Sequence, residues 1–516
     1  MRKETPIRLS NRFRPAVAET GDLRRKGFVL RSPEPATCGR RYIGAMVDDR
    51  SVALRLGAAV ALFLLLLGQA QVTVLDGSSM LAVAQGLVHH GTLAVPPELG
   101  VVGDDGFHYY SKYGILLPLL SLVPVALVQP IGLVTGRVGL LEAAAAASIM
   151  PLVGGALAAA LFALGRRLNA PRKAAALVAV GTVLGTYVLP YGRDFFTEPL
   201  VALGLVVMIE RALAGRELQA GLALALAVLA RPQSAAFAPL LFAFLLLRGR
   251  GVAAVVRTLP PLALAAAVTV LYNLARFNDP LEFGYKAPAD PGFTTPLWEG
   301  TKGLLFSPEK SVFLFAPAIV LVPLAAVALW RRGERAIVGF ALALFATVFV
   351  LAATWWSWMG GWSWGPRLII PGVIVVLGLL APWIAERTER VRLAAALFAV
   401  GFVLSVSAVL APAGAQLLDR RPGTDGPQIV RQYAKLPGLS RNSVDAADDP
   451  KARDADYRRY LALWQANAVR KLGKGGLIPA VLGTLLLLAA LIAVARPLVR
   501  ELGADGQEIE TDEDHS

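Results

Sequence analysis

From residue 52 to residue 495 the chain is a succession of apolar runs, most of them closed by small groups of arginines, and this alternation restricts the fold more than any other feature. A run of roughly 20 apolar residues can cross a hydrocarbon layer as a helix, because every backbone group is then satisfied internally. A mean hydropathy of +0.57 with only 17% charged residues takes the chain out of the soluble globular class. The expected fold is an all-α integral membrane protein. A formal charge of +14 could suggest nucleic acid. The basic residues recur between apolar runs rather than in one patch, however, so membrane topology explains them and no nucleic-acid partner is expected.

Loop charge orders the apolar runs. Residues 52–73 form the first expected span and deliver the chain to the outer side. Residues 115–134 contain Pro118, Pro124 and Pro130 and are expected to lie in the outer interface rather than cross. Only then do Arg166, Arg167, Arg172 and Lys173, and every later Arg-rich loop, fall inside. The remaining spans are expected at 140–164, 174–188, 199–214, 220–229, 235–247, 259–274, 313–330, 336–354, 368–384, 393–410 and 477–495. This gives about twelve spans with both termini cytoplasmic. The expected localisation is a cell inner or plasma membrane, with membrane lipids as partners.

The flanking segments differ in character. Residues 1–50 are rich in Arg and Pro without apolar periodicity and are expected to be disordered, with Met46 as an alternative start. The membrane domain is expected over 51–496. Residues 497–516 form an acidic tail, expected to be disordered and cytoplasmic. No cleavable signal peptide is expected. The single cysteine, Cys38, leaves no intrachain disulfide possible.

The outer loops, at 74–139, 189–198, 275–312, 355–367 and 411–476, hold nearly every unusual residue. The first carries Asp76, Asp104, Asp105, Lys112, Tyr113 and three of the four histidines. An acidic residue placed where a span leaves the bilayer is costly and is a functional candidate for that reason. Asp76 could instead cap the helix that follows it.

Several stretches, in order, resemble one family. LDGSSMLAVAQGLVHHGTL, YSKYGILLPLL, PYGRDFFTEPL, LARPQ, YNLARFNDPLEFGY, GLLFSPEKSVFLFAP and WWSWMGGWSWGPR are similar to the polyprenyl-phosphate-dependent glycosyltransferases of the GT-C class. That class includes protein O-mannosyltransferases and the aminoarabinose transferases that act on lipid A. The resemblance runs from about Leu75 to Pro371. It implies a GT-C-like bundle with interfacial helices in the first outer loop. It also implies an essential aspartate, carried onto Asp76, and a second acidic residue, best matched by Glu198. Asp76-Gly77 stands where the O-mannosyltransferases have a paired Asp-Glu, and a lumenal sugar-binding domain is not recognisable. The acceptor implied is therefore left as a cell-envelope glycan, lipid or protein.

In this scheme Asp76 is the base for an acceptor hydroxyl, and one carboxylate suffices because phosphate is already a good leaving group. Lys112, Arg231, Lys302 and Arg367 are the cations expected to meet a lipid phosphate, with headgroup snorkelling as the plainer alternative. Glu198 or Asp194 could hold a divalent cation or position the acceptor, and a simple ion pair of Asp194 with Arg193 explains the pair equally well. The tryptophans at 355, 356, 358, 362 and 364 read first as an interfacial belt. Trp362, Tyr113 and Tyr285 are candidates for stacking on sugar or isoprenoid. His89, His90 and His108 show no metal spacing and read as surface histidines. Asp104 and Asp105 beside glycines read as a turn. A polytopic lipid or glycan transporter is the competing expectation; it would place polar residues near mid-span on several helices, whereas the span centres here are Ala, Leu and Val.

Overall fold

The computed structural model describes residues 35–72, 74–285, 289–361, 363–410 and 463–504. It divides at Met46, and the account below concerns the larger unit, Val47–Ser516. Helix α1 covers Pro35–Leu66 and so begins inside the segment expected to be irregular. It ends at Leu66, short of the expected residue 73. Four successive carbonyls that follow would otherwise be orphaned. Gln465 Nε2 donates to Leu66 O at 3.0 Å, Arg193 Nη1 to Leu67 O at 2.7 Å, Trp464 N to Gly68 O at 2.8 Å and Asn467 Nδ2 to Gln69 O at 3.0 Å.

Helix α2 (Leu75–His90) precedes three two-residue strands, β1 (Ala94–Val95), β2 (Val101–Val102) and β3 (Tyr109–Tyr110). β3 lies in the middle, antiparallel to both, with Tyr110 opposite Ala94 and Val101. These strands are the only departure from an all-helical chain among the described residues. They fold the first loop back so that residues 111–114 return beside α2.

The rest is helical: α3 (Leu116–Thr135), α4 (Val138–Ala147), α5 (Ile149–Arg167), α6 (Arg172–Leu184), α7 (Val188–Tyr191), α8 (Glu198–Leu213), α9 (Glu217–Ala230), α10 (Ala238–Leu247) and α11 (Gly251–Phe277). Then come α12 (Leu297–Phe306), α13 (Val312–Phe315), α14 (Val322–Arg331), α15 (Arg335–Thr354), α16 (Ile370–Leu377), α17 (Leu380–Ile384) and α18 (Thr388–Leu410). After residues outside the description follow α19 (Trp464–Leu472) and α20 (Leu477–Ala504). α20 carries helix past residue 497, into the stretch read as tail. Two helices, α16 and α17, replace the single segment expected at 368–384, meeting at Gly378 and Leu379.

Among the described residues, six helices are long and apolar enough to cross a membrane: Leu116–Thr135, Val138–Arg167, Gly251–Phe277, Arg335–Thr354, Thr388–Leu410 and Gly473–Gly503. Others expected as spans are shorter, such as Glu217–Ala230; at 1.5 Å per residue, a helix of about 14 residues reaches roughly two thirds of a 30 Å hydrocarbon layer. Pro124 and Pro130 lie inside α3 without ending it.

α8 packs against α5, α9 and α16, and α2 against α3. Helices approach closely where small residues meet. A Cβ on Gly57 would lie 2.8 Å from Gly155 O, so α1 and α5 touch backbone to backbone there. Phe162, Tyr187, Phe195, Phe244 and Phe315 lie in the same buried core as the α8 residues Leu205 and Val206. That core fixes the N-terminal end of α8, and the charged cluster is built on this end.

Candidate active site

Asp76 is the second residue of α2. The N-cap of α2 is Val74, and no side chain caps the helix, so the Asp76 carboxylate is not spent on capping. Its place in the first turn still lets the helix dipole favour its negative form. Gly77 beside it is buried, and a Cβ there would stand 2.8 Å from Phe195 O and 2.9 Å from Val72 Cγ1. A second acidic side chain at this position has no room, which accounts for Asp-Gly in place of Asp-Glu.

Glu198 opens α8 and is almost wholly buried. Arg231 follows α9, where the chain turns into the short 3-10 helix Pro232–Phe237, and Arg367 opens the 3-10 turn Arg367–Ile369 that leads into α16. Three helix starts and one helix end thus bring these four residues together. Arg231 Nη1 is 3.1 Å from Glu198 Oε1, Arg367 Nε is 3.7 Å from the same oxygen, and Arg367 Nη2 is 2.9 Å from Asp76 Oδ2. The guanidinium of Arg367 also sits 4.8 Å from the centre of the Phe196 ring. Arg367 Nε is buried and makes no hydrogen bond, leaving a charged donor available to a ligand oxygen.

Tyr113 completes the cluster, its hydroxyl lying near enough to the Asp76 carboxylate for each to shift the other's pKa. It reaches that place because Gly114 presses against the end of α9, where a Cβ would be 2.4 Å from the carbonyls of Leu229 and Ala230. Burial pushes the Asp76 pKa up, but Arg367, the Tyr113 hydroxyl and Arg231 outweigh it and hold the carboxyl below its ordinary value. Burial and the adjacent Asp76 charge push the Tyr113 phenol well above its ordinary value, so it stays a donor.

Lys112 lies beside this cluster but is already paired. Its Nζ is 2.6 Å from Asp290 Oδ2 and 4.9 Å from the centre of the Tyr285 ring. Trp356 Nε1 donates to Asp290 Oδ1 at 3.1 Å, and Tyr285 meets Trp355 edge-on at 5.4 Å. These groups form one wall of lysine, carboxylate and aromatic rings. Trp364 is buried against Phe315, at 5.2 Å, and so belongs to the core rather than to an interfacial belt. Trp362 lies outside the described residues.

Arg193 and Asp194 stand behind the cluster. Arg193 is fully buried and donates to Leu67 O, while Asp194 Oδ1 accepts from Gln69 Nε2 at 2.9 Å. Burial raises the Asp194 pKa against the opposing pull of Arg193. Their visible work is to fix the turn between α1 and α2. Guanidinium groups face both Glu198 and Asp194, and among the described residues no group of three or more His, Cys, Asp or Glu could hold a metal ion. Lys302 is exposed on α12 and makes no ion pair among the described residues.

The histidines divide. His108 is exposed, with Nδ1 2.5 Å from Asp105 Oδ2, in the turn made by Asp104, Asp105 and Gly106. The amides of His108 and Phe107 hold the Asp105 carboxyl down to about 2. His89 is not a free surface group: its Nε2 is 2.7 Å from Glu142 Oε1, and Glu142 is buried and also takes a hydrogen bond from Gln85.

Sequence reasoning missed Lys310. It is buried and donates to Ser363 O at 2.5 Å and Gly365 O at 3.1 Å, pinning the loop that ends in Arg367. Tyr191 holds the same loop through Trp364 O at 2.7 Å. The FSPEK stretch was visible as a motif, but nothing in it separates a buried lysine from an exposed one.

No family model and no curated protein matches the chain. Among solved structures it is similar to ArnT from Cupriavidus metallidurans bound to undecaprenyl phosphate, at 14% identity over 91% of this chain and 78% of that one, with a TM-score of 0.49. The apo state of the same ArnT gives 14% identity, 91% and 76% coverage and a TM-score of 0.46. The apo oligosaccharyltransferase of Archaeoglobus fulgidus gives 15% identity over 78% of this chain and 59% of that one, with a TM-score of 0.44. ArnT is a lipid A aminoarabinose transferase, and both proteins are glycosyltransferases of the GT-C type.

Proposed function

We propose that this chain is a membrane glycosyltransferase that takes a sugar from a polyprenyl-phosphate donor at the outer leaflet and passes it to a cell-envelope acceptor by a single inverting displacement. The observation that carries the proposal is the alternation of Arg231, Glu198, Arg367 and Asp76 at one end of the helical bundle. It offers a partly exposed carboxylate beside an arginine whose buried Nε has a hydrogen bond still to give.

In the reaction Asp76 takes the proton from an acceptor hydroxyl as that oxygen bonds to the anomeric carbon. The bond between the anomeric carbon and the phosphate oxygen breaks, and the phosphate leaves with the electron pair. The leaving phosphate gains one negative charge, and Arg231 and Arg367 stand where such charge can be stabilised. Glu198 faces both guanidiniums and fixes them. Without donor, Arg367 keeps Asp76 ionised but weakly basic. A phosphate that competes for Arg367 leaves the carboxylate more basic when it is needed.

The wall of Tyr285, Trp355 and Trp356 suits stacking on a sugar face. Among the buried charged side chains of the described residues, Glu198, Glu210, Glu217 and Arg276 lie in the first or last turns of their helices and Arg193 and Lys310 between helices, with Glu142 inside α4 as the exception; this balance favours surface chemistry over a transport path. Outer-face placement of the site, with both termini cytoplasmic, rests on the arginine-rich loops.

The test is incubation of purified protein with a panel of radiolabelled polyprenyl-phosphate sugars and envelope acceptors. Transfer from at least one donor is expected. No transfer from any donor, together with movement of lipid or glycan across a proteoliposome bilayer, contradicts the proposal.

A further inference from the structure

Ser79 and Ser111 are both buried, and Ser79 Oγ donates to Ser111 Oγ at 2.8 Å. Ser79 lies three residues after Asp76 in α2, so it is a neighbour on the same helix surface. Ser111 lies two residues before Tyr113, whose backbone N–H donates to Ser111 Oγ at 3.4 Å. The remaining handle of Ser111 is its carbonyl, which accepts from Arg276 Nη1.

Arg276 is itself immobilised at the end of α11. Its Nη2 donates to Asn273 Oδ1 at 2.7 Å and its Nε to Tyr272 O at 3.1 Å, and its guanidinium lies 3.6 Å from the centre of the Tyr272 ring. Asn273 Nδ2 in turn donates to Pro280 O at 2.9 Å. These donors go to two backbone carbonyls and a side-chain amide, and the charge of Glu282 acts on the guanidinium as well. A buried arginine costs several kcal/mol to desolvate unless its donors are satisfied, so this placement is structurally committed rather than incidental.

We infer that Arg276, Ser111 and Ser79 form a positioning brace that sets Tyr113 relative to Asp76; the inference rests on the catalytic-base reading of Asp76 given above. The brace joins α11 to α2 through the returning end of the first loop. Tyr113 and Asp76 are attached to its two ends, one through the chain and one through the helix. None of the three brace residues touches Arg231, Arg367 or Glu198 in the contacts above. Loosening the brace therefore changes the base while leaving the phosphate cations where they are.

The experiment uses Ser79→Ala and Ser111→Ala in the full chain, with two readouts. In transfer assays the turnover number per folded molecule is expected to fall about 10- to 100-fold, the cost of a misplaced catalytic group, with the donor KM unchanged. Because Tyr113 lowers the Asp76 pKa, the acid limb of the rate profile is expected to move to higher pH. The second readout is the pH dependence of carbodiimide modification at Asp76, followed by mass spectrometry, which needs no turnover and is expected to shift the same way. The double variant is expected to be no worse than the more damaging single one, because both break one connection. Wild-type turnover per folded molecule and an unshifted modification profile in Ser79→Ala overturn the brace, even if Ser111→Ala fails to fold. A wild-type protein that transfers no sugar, but whose Asp76 modification shifts in the serine variants, contradicts the transferase reading and keeps the brace.

Discussion

Arg367 is shared between two carboxylates, with Nη2 2.9 Å from Asp76 Oδ2 and Nε 3.7 Å from Glu198 Oε1. In the proposed mechanism Arg367 would link the base to the phosphate site. Arg367→Ala is expected to weaken donor binding and to leave Asp76 without its ion-pair partner, while Glu198 keeps Arg231. Breaking a buried pair by removing one partner costs about 3–5 kcal/mol, so thermal stability should fall as well. Binding of lipid donor at wild-type affinity by a folded Arg367→Ala protein contradicts the phosphate role.

The pH dependence follows from the same contact. Asp76 is held below its ordinary pKa, so its contribution to stability is present above the unfolded-state value and is lost as pH falls through the lower folded-state value. The acid limb of kcat/KM, which reports the free enzyme, should accordingly lie below the usual carboxylate range. Tyr113→Phe removes one of the lowering contacts and should move that limb upward, with turnover reduced about tenfold and the fold intact. An acid limb unmoved by Tyr113→Phe places the titrating group elsewhere.

Lys310 and Lys302 should behave oppositely. Lys310→Met leaves Ser363 O and Gly365 O without their buried donor, at about 1–3 kcal/mol for each unsatisfied group, and frees the loop that carries Arg367. Lower thermal stability and weaker donor binding are both expected. Lys302 is exposed and makes no ion pair among the described residues, so Lys302→Ala should match wild type in both. Thermal unfolding and donor-binding isotherms on the two variants check this. Equal effects at the two positions contradict it.

The placement of α3 is a separate prediction. α3 is long enough to cross, yet the arginine-rich loops all fall inside only if it does not. In a Cys38→Ser background, Phe107→Cys and Arg137→Cys, at exposed positions on either side of α3, should label from the same face of sealed vesicles. Labelling from opposite faces makes α3 a span.

Much of the site was legible because its members sit at the ends of apolar runs. Asp76, Glu198, Arg231 and Arg367 could each be singled out by the expense of a charge at such an end. Loop charge then assigned them to one side, although nothing in the sequence measures their distances. What was not legible depends on which way a side chain faces once helices pack. Lys302 and Lys310 are eight residues apart in one polar loop, and only the rotation of α12 and the turn after it decide that the second is buried. Ser79, Ser111 and Arg276 carry no pattern that distinguishes a buried brace from ordinary loop polarity. His89 looked like a surface residue because its partner, Glu142, lies on a different helix. Segment lengths were the weakest expectation: hydropathy does not show that the run at 368–384 breaks at Gly378.

The measurement that tests the central claim most directly is transfer by Asp76→Asn. The substitution is nearly isosteric, its amide oxygen can still accept from Arg367, and it cannot take up the acceptor proton. Because no side chain caps α2, loss of a cap cannot explain the outcome. Loss of general-base assistance typically costs about 100- to 10,000-fold. A folded, membrane-inserted Asp76→Asn protein that binds donor and falls in transfer by that factor is the predicted result. Retention of more than about a tenth of wild-type turnover contradicts the base role and moves it to Glu198.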